Sequence, residues 1–159
     1  MARLLIADDD FEYSEAFRNG MTAIGHEVMT ARSGDEALDI LVAEDGAFDL
    51  VFLDVVMDKG GAISTLHRIR DRWDALPVVI ITGRAEIVNS PLFANGLQLA
   101  QRRVRKSTKL RELDDLVKDL VSLDNAGHIP VNVSMETEVP GVYAVGDIRQ
   151  HSSSQLVSA

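Results

Sequence analysis

The sequence contains no cysteine, which excludes disulfide bonds, thiolate metal sites and a redox dithiol. Cationic residues are also scarce, since 16 Lys and Arg stand against 25 Asp and Glu and give a formal net charge of -9 at pH 7. That balance argues against direct DNA binding through a broad basic surface. No apolar run approaches the length of a membrane span, and the first apolar stretch is too short for a signal peptide. A cytoplasmic protein that does not bind membranes is therefore expected.

Short, continuous apolar runs alternate with helical patterns along the first 122 residues. Four runs read as strands, at residues 4–7, 28–31, 50–53 and 78–81, and a more basic fifth strand is placed at 102–105. Continuous apolar strands are typical of a parallel sheet that is covered on both faces. The alternation predicts an α/β fold in which helices flank a doubly wound, five-stranded parallel sheet.

Two helix starts carry capping signals. Asp10 directly precedes the first helical pattern and is a candidate N-cap. Ser33 and Glu36 have the spacing of a capping box. Apolar residues at helical spacing indicate a third helix around residues 63–73 and a strongly amphipathic last helix over 110–121.

Ionisable and hydroxyl side chains follow the apolar runs at the points where the strands end. Asp8 and Asp9 follow the first strand, Asp54 the third, Thr82 the fourth and Lys106 the fifth. In open parallel sheets, functional groups collect at these carboxyl ends. A buried lone carboxylate is costly, and clustered carboxylates repel one another, so a hard divalent ion such as Mg²⁺ is expected there. Beside such an ion Asp54 can act as a nucleophile toward a phosphoryl group, with Lys106 and Thr82 stabilising the transferred charge.

The strings LLIADDD (4–10), DLVFLDVVM (49–57) and VVIITG (78–83), followed by a later lysine, resemble the receiver domain of bacterial two-component response regulators. The resemblance implies a flavodoxin-like receiver domain over residues 1–122 that is a phosphoacceptor and not an enzyme, apart from slow self-dephosphorylation. It implies that a histidine kinase or a phosphotransfer protein supplies the phosphoryl group. The roles it implies are phosphoacceptor for Asp54, Mg²⁺ ligands for Asp8, Asp9, Asp54 and the Val56 backbone carbonyl, switch hydroxyl for Thr82, and phosphoryl-contacting cation for Lys106.

Several positions depart from the family pattern. Asp58 stands where the family usually has proline, and Ser107 rather than proline follows the lysine. Arg103 replaces the aromatic residue that usually moves with the switch, which puts the ordinary aromatic coupling in doubt. Val56 and Arg84 occupy positions thought to tune loss of the phosphoryl group. Because an apolar Val56 cannot orient an attacking water, slow autodephosphorylation is expected.

The tail over residues 123–159 differs in amino-acid composition from the rest of the chain and resembles a different protein family. Its string SMETEVPGVYAVGDI (134–148) is similar to the carboxyl-terminal part of thioredoxin reductase and related flavoprotein disulfide reductases. Gly146 and Asp147 match the Gly-Asp pair that contacts the flavin there. Flavin binding is not expected, because the chain has no Gly-x-Gly-x-x-Gly turn and no redox cysteine pair. The tail is interpreted as a vestigial or truncated fusion segment whose two β-like runs, 129–133 and 142–145, favour a homodimer.

Other functions remain to be weighed against the phosphoacceptor. A haloacid-dehalogenase-type phosphatase also uses an aspartate nucleophile, but it needs a second aspartate at the position that Val56 occupies. A non-phosphorylated, receiver-like interaction or dimerisation module stays open, as does a truncated part of a receiver–thioredoxin reductase fusion. The four histidines lack ligand spacing and are expected at the surface: His26, His67, His128 and His151.

Overall fold

The structure, a computed structural model, describes residues 1–59, 61–84 and 90–121 of the chain. Strands and helices alternate along these ranges. The strands are β1 Arg3–Ala7, β2 Glu27–Ala31, β3 Leu50–Asp54, β4 Val78–Thr82 and β5 Arg102–Arg105. The helices are α1 Phe11–Ile24, α2 Gly34–Ala43, α3 Ala62–Arg72, α4 Pro91–Gly96 and α5 Leu110–Leu120.

All strand pairs are parallel, and the strand order is β2-β1-β3-β4-β5. The predicted five-stranded α/β fold is confirmed, including the basic edge strand at Arg102–Arg105. After β2 the chain crosses to the other side of β1, so the carboxyl ends of β1 and β3 are neighbours. This reversal is the place where open α/β sheets form their sites.

The central strands are buried because helices cover both of their faces. On one face, Leu5, Val51 and Leu53 belong to an apolar cluster with residues of α2 and α3, including Leu41 and Leu66. On the other face, Phe17 of α1 packs edge-on against Phe52 of β3, with 4.9 Å between ring centroids. Strands covered in this way have no polar face, which accounts for their continuous apolar sequences.

Both predicted helix caps are present. The Asp10 carboxylate accepts a hydrogen bond from the backbone N–H of Tyr13, and the Ser33 hydroxyl accepts one from the backbone N–H of Glu36. The Glu36 carboxylate reaches back to the backbone N–H of Arg32 instead of that of Ser33. The caps fix where α1 and α2 begin relative to the ends of β1 and β2.

The expectation of a surface His26 is wrong. Its side chain is buried, with Nε2 2.6 Å from Asp114 Oδ1, and its Nδ1 accepts a hydrogen bond from the backbone N–H of Ala2. Two polar partners that are distant in sequence compensate for the burial of the imidazole. A pattern of nearby residues cannot predict such partners. His67 is exposed on α3, as expected.

The chain divides into two compact units, Met1–Asp114 and Asp115–Ala159. The predicted tail, 123–159, lies outside the described residues, and with it the two β-like runs, His128, His151, Gly146 and Asp147. Among the helices that the structure describes, none combines the length and the apolar character needed to cross a bilayer.

Candidate functional site

Backbone pairing brings the predicted site residues together at one edge of the sheet. Ala7 pairs with Leu53, so Asp8, directly after β1, is next to Asp54, the last residue of β3. The Asp8 N–H donates to the Ala31 carbonyl at 3.0 Å, which extends β1 alongside β2 past its last residue. On the other side, the Lys106 N–H donates to the Thr82 carbonyl at 2.8 Å. These main-chain bonds set the positions of the side chains before any side-chain contact is made.

Three carboxylates form the centre of the site. Asp8, Asp9 and Asp54 each offer one oxygen, and these oxygens lie within 4.8 Å of one another. Asp8 is fully buried and Asp54 is 5% exposed, while Asp9 is exposed. Asp8 Oδ1 accepts a hydrogen bond from the Asp10 N–H at 2.8 Å, which fixes the orientation of this carboxylate.

Lys106 supplies the cation of the site. Its Nζ lies 2.7 Å from Asp8 Oδ2 and 3.4 Å from Asp54 Oδ2. The shorter contact is an ion pair without hydrogen-bond geometry, so Asp8 Oδ2 is a buried oxygen with no hydrogen-bond partner in the described part of the chain. One ammonium does not balance three carboxylates, and excess negative charge remains at the site.

The excess charge changes the ionisation of the central groups. Burial, with the nearby charge of Asp8, raises the pKa of Asp54 to about 6, although Lys106 opposes the shift. Burial by itself lowers the pKa of Lys106, but the close contact with Asp8 and the charges of both carboxylates outweigh it, and the net pKa is raised. Lys106 is therefore protonated throughout the physiological range.

The carboxylate set fits a hard divalent ion. Three carboxylate oxygens converge, one of the three residues is fully buried, and in the described residues its Oδ2 has no hydrogen-bond partner beyond the ion pair with Lys106. Oxygen donors of this kind suit Mg²⁺, which retains waters for the rest of its coordination shell. Asp8, Asp9 and Asp54 are the side chains that would hold the ion. Val56 follows two residues after Asp54, and its side chain is half-exposed.

Thr82 lies at the end of β4, and its hydroxyl forms hydrogen bonds within its own loop. Its side chain is buried, its hydroxyl donates to the Arg84 carbonyl at 3.2 Å, and it accepts from the Arg84 N–H at 3.0 Å. The hydroxyl is thus engaged with its own loop. Arg103, at the position of the usual aromatic residue, donates from Nη2 to the Ala94 carbonyl at 3.3 Å.

The sequence reasoning missed Tyr13. Its ring centroid lies 5.0 Å from Lys106 Nζ, and burial together with the charges of Asp8 and Asp54 raises its pKa to about 12. The available signal was its place three residues after the capping Asp10, which puts it on the first turn of α1 beside the acids.

A family model for the response regulator receiver domain matches residues 4–118. The chain belongs to this family. The receiver is 38% identical over 99 residues to a transcriptional regulatory protein CpxR homolog of Haemophilus influenzae, covering 62% of this chain and 40% of the relative. It is 30% identical over 97 residues to the transcriptional regulatory protein DltR of Streptococcus agalactiae, covering 61% of this chain and 41% of the relative. The chain thus spans about 40% of the length of these curated relatives.

Solved structures of receivers have the same fold. The response regulator protein TrrA of Thermotoga maritima, in complex with Mg(2+)-BeF, matches with a TM-score of 0.67 and 29% identity over 76% of this chain and 99% of that chain. A response regulator receiver domain protein from Clostridium thermocellum matches with a TM-score of 0.68 and 25% identity over 76% of this chain and 94% of that chain. Both matches cover a similar share of this chain.

Proposed function

We propose that this receiver is phosphorylated on Asp54 in a Mg²⁺-dependent reaction and acts as a response regulator in two-component signalling. A histidine kinase or a phosphotransfer protein is the donor. The observation that carries the proposal is the convergence of Asp8, Asp9 and Asp54 within 4.8 Å, with Lys106 Nζ against two of them. Two buried carboxylates and a third beside them, with one cation, are expensive to fold, which favours a chemical use.

The side chains have distinct roles in the transfer. An Asp54 carboxylate oxygen attacks phosphorus, the new P–O bond forms as the bond from phosphorus to the donor's leaving atom breaks, and an acyl phosphate results. Lys106 neutralises charge on the phosphoryl oxygens, and the Thr82 hydroxyl donates to them after leaving its Arg84 partner. Mg²⁺ held by the carboxylates, with the Val56 carbonyl as a further ligand, would neutralise the charge that develops on those oxygens.

The decisive experiment is intact mass spectrometry after incubation with Mg²⁺ and acetyl phosphate. The wild type should gain the mass of one phosphoryl group, and Asp54→Asn should gain nothing. Asp58→Asn is a matched control, because it removes an exposed carboxylate from the loop after the same strand; it should be phosphorylated like the wild type. An adduct that persists in Asp54→Asn would refute the assignment of the acceptor.

We further propose that the phosphoryl group is lost slowly. Val56 is half-exposed and apolar, so it offers no hydrogen bond to orient a water molecule toward the acyl phosphate. After removal of the donor, the adduct should persist for many minutes, and Val56→Asn should shorten its lifetime. A wild-type lifetime of seconds would contradict this proposal.

A non-phosphorylated interaction module is the second candidate, and Arg103 is the observation that favours it. At this position the family usually has an aromatic residue that moves with the switch. Here the Arg103 guanidinium instead donates a hydrogen bond to the Ala94 carbonyl of α4. Such a module would keep the fold and lose the chemistry. It would show no adduct on the wild type and no binding of beryllofluoride.

The segment over residues 123–159 is proposed as a unit separate from the receiver, which we delimit at 1–122. Its sequence resemblance to flavoprotein disulfide reductases supports a reused or truncated fusion segment, with Gly146 and Asp147 vestigial. We propose that it mediates a homodimer and that the protein works in the cytoplasm. We also propose that it acts through protein contacts and not through direct DNA binding, in keeping with its net charge of -9.

A further inference from the structure

Tyr13 has no role in the reaction as proposed, yet its ring contacts the amine that the reaction needs. Lys106 Nζ lies 5.0 Å from the ring centroid, within the range of a cation–π interaction. The same Nζ is the one that reaches Asp8 and Asp54. The ammonium is therefore held by two carboxylates and by one aromatic face.

The position of the Tyr13 ring is fixed by its surroundings. Its backbone N–H donates to the Asp10 cap at 3.1 Å, which places it on the first turn of α1. Its ring packs against Phe17 at 6.5 Å between centroids, and Phe17 packs edge-on against Phe52 at 4.9 Å. Phe52 precedes Asp54 by two residues on β3, so a row of aromatic rings connects the lysine contact to the strand that carries the acceptor.

The three contacts of the ammonium respond differently to a divalent ion. An ion held by the carboxylates would engage two of the residues that Lys106 contacts, Asp8 and Asp54, and its charge would repel the ammonium. The tyrosine ring face carries no net charge and does not compete for the ion. It is thus the contact that stays available to Lys106 when the site is loaded.

There is also room for the lysine to leave. A cavity of about 190 Å³ lies beside the ring, and its lining includes Tyr13, Phe17, Lys106 and Leu110. Without the ring face, the flexible Lys106 side chain can rotate toward this cavity. The ammonium then spends a smaller fraction of its time beside Asp54.

We propose that Tyr13 is a positioning residue that holds the Lys106 ammonium beside Asp54 for phosphoryl transfer. This inference rests on the proposed phosphoacceptor function. Tyr13 acts through the face of its ring and not through its hydroxyl, so phenylalanine should replace it and an aliphatic residue should not.

The test compares Tyr13→Leu with Tyr13→Phe. With acetyl phosphate and saturating Mg²⁺, the rate constant for phosphorylation should fall about three- to tenfold in Tyr13→Leu, the range expected for loss of a partly desolvated cation–π contact. Tyr13→Phe should stay within about twofold of the wild type. Phe11→Leu is the matched control, since Phe11 also lies on the first turn of α1 but its ring contacts Arg32 instead of Lys106.

Two further readouts separate positioning from general damage. The Lys106 ε-methylene protons, observed by NMR, should show a ring-current shift in the wild type and Tyr13→Phe that is lost in Tyr13→Leu. The Mg²⁺ affinity, from a chemical-shift titration, should be the same in all variants, because the carboxylates stay in place. The proposal would be overturned if Tyr13→Leu were phosphorylated as fast as the wild type, or if both Tyr13 variants lost the same factor in rate. It would also be overturned if Tyr13→Leu lost Mg²⁺ affinity to the same extent as rate. Failure of the proposed function is distinguishable: the wild type itself would form no adduct, while the ring-current shift would remain.

Discussion

Ionising Asp54 in the folded chain has an electrostatic cost, and that cost depends on pH. Its pKa is raised from 3.8 to about 6 in the folded chain, so between these values the folded state binds a proton that the unfolded state has lost. The free energy of unfolding should therefore fall as pH rises through this window and level off above it.

The corresponding prediction compares the wild type with Asp54→Asn in the absence of divalent ions. The stability advantage of the variant should grow by about 1–2 kcal/mol between roughly pH 4 and pH 7, after allowance for solvent screening and for the lost attraction to Lys106. Urea unfolding at several pH values measures it. Asp58→Asn should follow the wild type, and a constant difference between Asp54→Asn and wild type would contradict the raised pKa.

His26 illustrates a residue whose stabilising role comes from distant partners. Because Nδ1 accepts from the Ala2 N–H, the ring proton resides on Nε2 and is donated to Asp114 Oδ1, 2.6 Å away. Both side chains are buried. Replacement by an apolar residue leaves the Ala2 amide without its acceptor and removes a donor from a buried carboxylate.

His26→Leu should accordingly lower the free energy of unfolding by about 2–4 kcal/mol. The change is measured as a lower midpoint of urea unfolding. His67→Leu, at an exposed position of α3, is the control and should change stability little. If the two variants lose similar stability, the buried pair does not stabilise the fold as argued.

At the scale of elements, the turns between helices and strands depend on two glycines with positive φ. Gly25 ends α1 with φ 111, and nothing lies where its Cβ would be. Gly46, between α2 and β3, has φ 69, and a Cβ there would collide with the Trp73 ring. Trp73 is the residue that follows α3, and its ring packs over the turn before β3.

We predict that Gly25→Ala costs about 1 kcal/mol, because only backbone strain opposes it. Gly46→Ala should cost about 2–4 kcal/mol, since the indole must also move. Thermal unfolding measures both. Trp73 is the only tryptophan in the chain, so its fluorescence should shift in Gly46→Ala and remain as in the wild type in Gly25→Ala. An unchanged spectrum in Gly46→Ala would contradict the collision.

At the scale of the whole molecule, the proposed role of the segment after the receiver, in holding two copies together, can be tested directly. We predict that the full chain is a homodimer and that a chain ending at Ser122 is a monomer, as measured by size-exclusion chromatography with light scattering. Both chains should be phosphorylated alike, because the carboxylates and Lys106 lie within the receiver. An unchanged oligomeric state after deletion would rule out the tail as the dimerisation element.

Local sequence patterns were sufficient to predict the fold class and the residues of the charged centre. Continuous apolar strands imply a covered parallel sheet. Asp8 and Asp54 follow two such runs and Lys106 follows the basic fifth strand, so local order along the chain places them at one edge. The capping Asp10 was predictable for the same reason, because a cap acts on its own helix.

Which of these side chains are in contact, and which other residues join them, depends on the packing of elements that are distant in sequence. The strand order makes Asp8 a neighbour of Asp54, and it brings Lys106, 52 residues away from Asp54, to both. The spacing from Asp10 places Tyr13 on the first turn of α1, but it does not reveal the contact of its ring with Lys106. The burial of His26 against Asp114, 88 residues distant, has no trace in local spacing. The physical reason is that contacts between elements depend on how the helices pack across the sheet, and a pattern of three or four residues reports only on the element that contains it.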